Sequence, residues 1–146
     1  GLVGSEMCIR DSNSYDFVII DCLPSLGSLL INALTAADKV LIPVQTQKFS
    51  LDGLQALEAL IQQIKSAINP DLEHLGILPT MVDRTKVSQS ALRTISDRYG
   101  ESVLNTYISK SVEAAKSAES RIPLCITDCK LGTEYRNLTE EVLQRC

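Results

Sequence analysis

Apolar residues recur along this chain in two rhythms. Short runs at 17–20, 39–44, 73–80 and 103–108 contain β-branched side chains and are too short to make helices. Such runs suit parallel strands covered on both faces. Between them, apolar residues return every third or fourth position. Leu26, Leu29, Leu30 and Leu34 mark a short helix ending near Ala37, and Leu51, Leu54, Leu57, Ile61, Ile64 and Ile68 lie along about five turns of a second. Ser50 suits the N-cap of that second helix, and Asn69-Pro70 stops it. Val87, Ala91, Leu92, Ile95 and Tyr99 mark a third, closed by Gly100. After an irregular stretch at 123–129, Tyr135, Leu138, Val142 and Leu143 mark a terminal helix. Proline cannot donate to a ladder, so Pro43 and Pro79 are expected at strand exits. This alternation predicts right-handed crossovers and an α/β fold on a doubly wound, mainly parallel sheet.

Open parallel sheets bind ligands beyond the carboxyl ends of their strands. Phe17-Val18-Ile19-Ile20 ends there on Asp21, and Leu23-Pro24-Ser25-Leu26-Gly27 then forces a loop before the first helix. A lone carboxylate in that place suits an organiser of magnesium or water in a phosphate site. It equally suits a turn or the cap of the helix that follows.

With 146 residues, 45% of them hydrophobic, the chain is long enough for one domain with its own core. A formal net charge of -4 argues against a globally basic nucleic-acid binder and leaves room for a local basic patch. No apolar run approaches membrane-spanning length, and the first residues lack the continuous hydrophobic region of a secretory signal. Five cysteines in such a chain read as reduced cytosolic thiols.

Residues 15–27, Tyr-Asp-Phe-Val-Ile-Ile-Asp-Cys-Leu-Pro-Ser-Leu-Gly, and the continuation from Asn32 to Gln45 closely resemble the ParA family of partition ATPases, deviant Walker-type P-loop proteins. The resemblance implies that the first strand is the Walker B element, with Asp21 holding magnesium. It makes Pro24, Ser25, Leu26 and Gly27 the switch that senses the γ-phosphate. The family pattern has Pro-Pro after the cysteine, where this chain has Leu23 for the first proline. The resemblance further implies that Met81 and Asp83, and then Ser109, Lys110 and Ser111, flank the nucleotide base. The family reads Ile-Pro-Arg in the latter loop, which also carries DNA-facing basic residues. Ser109 replaces that proline and Lys110 that arginine, which keeps the charge and loses bidentate geometry. Arg93, Arg98, Lys110, Lys116 and Arg121 are the candidate strip for nonspecific phosphate contacts, with solvated helix faces as the alternative.

Phosphoryl transfer in this family also uses a deviant Walker A loop, Lys-Gly-Gly-Val-Gly-Lys-Thr, and an Asp-x-Asp-Pro-Gln motif whose acid arranges the attacking water. Neither sequence occurs here. The resemblance therefore covers residues 15–143 but only the carboxyl-terminal half of the family domain: a P-loop NTPase fold lacking its amino-terminal P-loop unit. Residues 1–14 are expected to be extraneous, because Leu2 to Ser12 resembles a translated sequencing adapter, and 15–146 is expected to be the ParA-like part. By resemblance, the intact parent binds Mg2+ and ATP and forms a homodimer around its nucleotides. It coats DNA nonspecifically and is released by a ParB-like partner, in the cytoplasm on the nucleoid. This chain alone is expected neither to hydrolyse ATP nor to bind it tightly, and no membrane partner is expected. An unpaired apolar edge at 17–20 is expected to promote self-association. The rival readings are a MinD-like or other positioning ATPase and a non-catalytic interaction module.

Other chemistry is sparse. His74 is the only histidine, so no His-based triad or multi-histidine metal site fits within one chain. Cys125 and Cys129 lack a second pair in register for zinc, and Cys22 reads as a small hydrophobe. The terminal helix lacks the basic, bulky apolar character of a membrane-targeting tail.

Overall fold

The computed structural model describes residues 15–22 and 27–146. They fall into two compact units, one drawn from Asp52–Glu73 and the chain up to Lys39, the other from Val40–Leu51 and His74–Cys146.

In the first unit, helix α1 (Ser28–Ala36) follows Gly27, whose extended backbone forms the N-cap, and buries Leu34. Helix α2 (Leu51–Ala67) buries Leu54, Ile61 and Ile64 from the expected stripe. The stripe ends there: Ile68, just past the last turn, is 52% exposed. The amides of both Ile68 and Asn69 donate to the Ile64 carbonyl, so the helix unwinds at that point. Asn69 Nδ2 then donates to the carbonyls of Leu34 and Ala37, at 3.0 and 2.8 Å. A single amide side chain thus satisfies orphan acceptors at the end of α1 and ties the two helix ends together.

The run at 17–20 departs from expectation. It forms no strand, and Ile19 is 92% exposed with Phe17, Val18 and Ile20 also open to solvent. An apolar run specifies burial, whereas a strand exists only where a neighbour completes its ladder. Among the described residues the sheet contains no such neighbour.

In the second unit, strands β1 (Lys39–Gln45) and β2 (Glu73–Thr80) lie side by side, joined through α2 in the helical crossover that parallel neighbours require. Pro43 lies inside β1 rather than at its exit, exposed, as an edge strand allows. The expected strand at 103–108 is present as an interrupted third row, with parallel bridges from Ile77 to Val103 and from Val82 to Ser109. The Leu104 amide donates to the Ile77 carbonyl and the Ile108 amide to that of Pro79, both at 2.9 Å. A step of two residues in β2 therefore faces a step of four in the third row. The register breaks at Pro79, which has no N–H to return to its neighbour. Thr80 rather than Pro79 ends β2, and Met81 follows with a φ of 54°.

Helices cover both faces of this sheet. Leu78 packs with Leu104, Ile108 and Leu131, the last on the helix that spans Lys130–Arg145. Side chains alternate along a strand, so Pro79 points the other way, where it lines a cleft of about 340 Å³ with Leu92 and Ser96. These two belong to helix α3 (Lys86–Tyr99), which buries Ser88, Ala91 and Ile95 while leaving Val87 outside. Helix α4 (Glu113–Ser120) occupies part of what the sequence reads as an exit loop. It buries no residue, so it carries no apolar stripe to read. Helix α5 (Lys130–Arg145) begins earlier than its apolar spacing suggests, because Cys129 caps it through Sγ, which accepts from the Gly132 amide.

Candidate functional site

The carboxyl ends of β1, β2 and the third row open onto three turns. Thr46 starts the first and is fully buried, as is Ser88 on α3. Their hydroxyl oxygens are 2.7 Å apart. Thr46 Oγ1 donates to the Met81 carbonyl at 3.2 Å, and Ser88 Oγ accepts from the Asp83 amide at 3.1 Å. Each hydroxyl has one proton. The consistent order runs from Asp83 N–H to Ser88, from Ser88 O–H to Thr46, and from Thr46 O–H to Met81. The turn from Met81 to Asp83 is thereby held at both ends. It needs holding, because the left-handed backbone of Met81 costs a non-glycine residue about 1–2 kcal/mol.

Asp83 is the most heavily used carboxylate of this region. It accepts from the Thr85 amide at 3.0 Å, from the Thr85 hydroxyl and from Gln47 Nε2. The Thr85 hydroxyl and then its amide, followed by Gln47 and the positive charge of Lys110, hold the Asp83 carboxyl below the usual carboxylate range. Lys110 is brought near by its backbone, whose N–H donates to the Val82 carbonyl at 2.8 Å. The stretches containing Met81 and Asp83 and containing Ser109 to Ser111 therefore meet through the Val82–Ser109 bridge.

The third turn is tied to α5. Ser109 donates to Glu134 twice, from N at 2.8 Å and from Oγ at 2.6 Å. Lys130 Nζ donates to Ser109 Oγ at 3.3 Å and lies 3.5 Å from Glu134. Ser111 Oγ accepts from the Glu113 amide at the start of α4. Beside the first turn, a cleft of about 410 Å³ is lined by Gln47 and Phe49 and by Val87, Ser90 and Thr94 of α3.

Other expected site residues are not gathered here. Asp21 is exposed and follows a run that is not a strand, so it does not stand at a strand end. Pro24, Ser25 and Leu26 lie outside the described residues, and Gly27 is the exposed cap of α1. Arg93 and Arg98 are exposed on α3, Lys110 is exposed, and Lys116 pairs with Glu113 at 2.8 Å within α4. Arg121 follows α4 with a φ of 57°. Among the described residues no group of three or more His, Cys, Asp or Glu side chains is arranged to hold a metal ion. Magnesium needs less, since one carboxylate with water and phosphate oxygens is a common donor set. Among the described residues no helix is long and apolar enough to cross a membrane.

Thr46, Ser88, Glu134, Glu141 and Arg145 were not singled out by sequence. For the last three a signal exists: 134, 138, 141, 142 and 145 share one face of a helix by spacing, which sets charges among Leu138 and Val142. Arg145 uses its place there to donate to the carbonyls of Leu75 and Val103, at 3.2 and 3.3 Å.

A family described as an AAA domain matches residues 7–74. The chain is similar to the chromosome-partitioning ATPase Soj of Treponema pallidum, 36% identical over 136 residues, which is 91% of this chain and 54% of that relative. It is 34% identical over 140 residues to the chromosome partitioning protein ParA of Caulobacter vibrioides, covering 94% of this chain and 52% of that relative. Among solved structures, a cobyrinic acid a,c-diamide synthase from Mycobacterium smegmatis with bound ADP and magnesium matches with a TM-score of 0.66 at 38% identity, over 73% of this chain and 44% of that one. The chain spans about half the length of the curated relatives it matches.

Proposed function

We propose that this chain, which belongs to the ParA family of partition ATPases, supplies the magnesium-side carboxylate and the base-side loops of a nucleotide site. It hydrolyses ATP only together with a phosphate-binding loop that residues 15–146 do not contain. The observation that carries this reading is the Val82–Ser109 bridge, which joins two exit turns at the carboxyl ends of the sheet, where open α/β sheets bind ligands. Partition ATPases among the relatives, and a neighbour that holds ADP and magnesium, support it.

On this reading Met81 presents a polarizable thioether to the base. Asp83 shapes the turn, and Ser109, Lys110 and Ser111 close the same side. Asp21 would hold magnesium, and Pro24, Ser25, Leu26 and Gly27 would couple the γ-phosphate to the dimer interface. Magnesium, when bound, neutralises charge on the phosphates. The whole protein forms a homodimer on nucleotide, contacts DNA phosphates through Arg93, Arg98, Lys110 and Lys116, and is released by a ParB-like partner on the nucleoid. Residues 1–14 take no part.

Titration calorimetry with Mg-ATP tests the reading, on the chain itself and on a fusion that adds a unit carrying Lys-Gly-Gly-Val-Gly-Lys-Thr. The chain alone is expected to give no saturable heat. The fusion is expected to bind in a magnesium-dependent way that Asp21→Asn weakens. Saturable binding by the chain alone would overturn the need for a second unit. A folded fusion that fails to bind would overturn the assignment of the loops.

A further inference from the structure

The outward edge of the third row is occupied by carboxylates rather than by a strand. Glu141 accepts from the amides of Asn105 and Thr106, each at 2.8 Å, one on each carboxylate oxygen. Two helical turns away on α5, Glu134 accepts from the Ser109 amide at 2.8 Å. Both side chains are close to solvent-free, 11% and 13% exposed. Each is steadied by a cation of its own helix, Arg145 at 3.0 Å from Glu141 and Lys130 at 3.5 Å from Glu134.

The row these carboxylates cover reads Val-Leu-Asn-Thr-Tyr-Ile-Ser from Val103 to Ser109, without charge, proline or glycine. Such a composition adds readily to another strand wherever its edge is open. Packing of α5 against the sheet is already provided by Leu131, Leu138 and Val142. Carboxylates at 134 and 141 do what those side chains cannot: they take the donors that an incoming strand would use.

We propose that Glu134 and Glu141 guard this edge, and that without them the edges of two copies of this chain pair antiparallel about a twofold axis. A second copy is the fitting occupant because isologous pairing of Val103 to Ser109 with itself needs no surface beyond this edge.

The test uses Glu134→Gln, Glu141→Gln and the double variant of the full chain, with amide exchange followed by NMR and assembly by sedimentation velocity. Glu141→Gln speeds exchange at Asn105 and Thr106 about tenfold, and Glu134→Gln does so at Ser109, while Leu104 and Ile108, which donate to β2, keep their rates. The double variant dimerises where the parent chain does not, and adding Tyr107→Lys, which puts a charge on the edge, reverses this. Unchanged exchange at the named amides in the single variants overturns the proposal, even if the double variant does not fold. So does a folded double variant that sediments like the parent, or a dimer that survives Tyr107→Lys and therefore forms elsewhere.

Discussion

The buried hydroxyls of Thr46 and Ser88 lie 2.7 Å apart and join the turn after β1 to the turn after β2. Their single consistent proton order makes each the partner of a backbone group as well as of the other. Removing one leaves a buried backbone group unsatisfied; removing both with apolar replacements also removes the hydroxyl that would otherwise be stranded. Thr46→Val and Ser88→Ala are each expected to lower stability by about 1–3 kcal/mol. The double variant is expected to lose less than the sum, with a coupling of about 1 kcal/mol. Urea unfolding with an unchanged m-value measures it. Strict additivity would mean that the two hydroxyls act separately.

Met81 separates strain from chemistry. Its φ of 54° suits glycine better than methionine, and the residue is 37% exposed. Met81→Gly is expected to leave stability unchanged or raise it by up to about 1 kcal/mol, whereas Met81→Val is expected to lower it by about 1–2 kcal/mol, because β-branching resists a positive φ. Thermal melts of the two variants decide. Equal melting of both would mean that the turn relaxes out of the left-handed region.

What the sequence makes legible is the covalent rhythm of the chain. The stripe from Leu54 to Ile64 and the Gly100 stop of α3 are local signals, and both are present in the structure. Phe17 to Ile20 reads equally clearly as buried, yet is exposed, because pairing depends on a neighbour that no local pattern encodes. Pro79 signals an interruption, although its effect falls on the opposite row, at Asn105 and Thr106, whose amides go to a helix more than thirty residues away. The loops at Asp83 and Ser109 are legible by resemblance. Thr46 and Ser88 are not, since two small polar residues have no periodicity and are recognisable only once the fold brings them together.

Gly132 sits where α5 passes its own lead-in. A Cβ there would lie 2.4 Å from the Leu124 carbonyl oxygen and 2.5 Å from that of Thr127. Both obstacles are backbone, and the Thr127 carbonyl is also held by Arg136 at 3.1 Å, so neither can swing aside as a side chain would. Gly132→Ala is expected to destabilise by about 1–3 kcal/mol, despite alanine's better helix propensity. Chemical denaturation against the parent chain checks it, and a stabilised Gly132→Ala would show that the lead-in from Leu124 to Thr127 gives way.

Acidity tests the Glu141 clasp. Burial alone would raise this carboxyl, but the amides of Asn105 and Thr106 and the charge of Arg145 outweigh it and hold the group below its usual 4.5. A carboxyl depressed by folding contributes stability that is fully present above its unfolded value and is lost as pH falls through the folded one. The stability difference between the parent chain and Glu141→Gln should therefore be constant from neutrality down to about pH 5. It should shrink on further acidification as the folded carboxylate takes up its proton. Glu73, lowered by its hydrogen bond and charge interaction with Lys39, and Asp83 are lowered too, but they are present in both proteins and cancel in the difference. Denaturation of the two proteins across this range supplies the curve. A difference that holds its size below pH 4, or grows, would mean that the amides of Asn105 and Thr106 do not depend on the charge of Glu141.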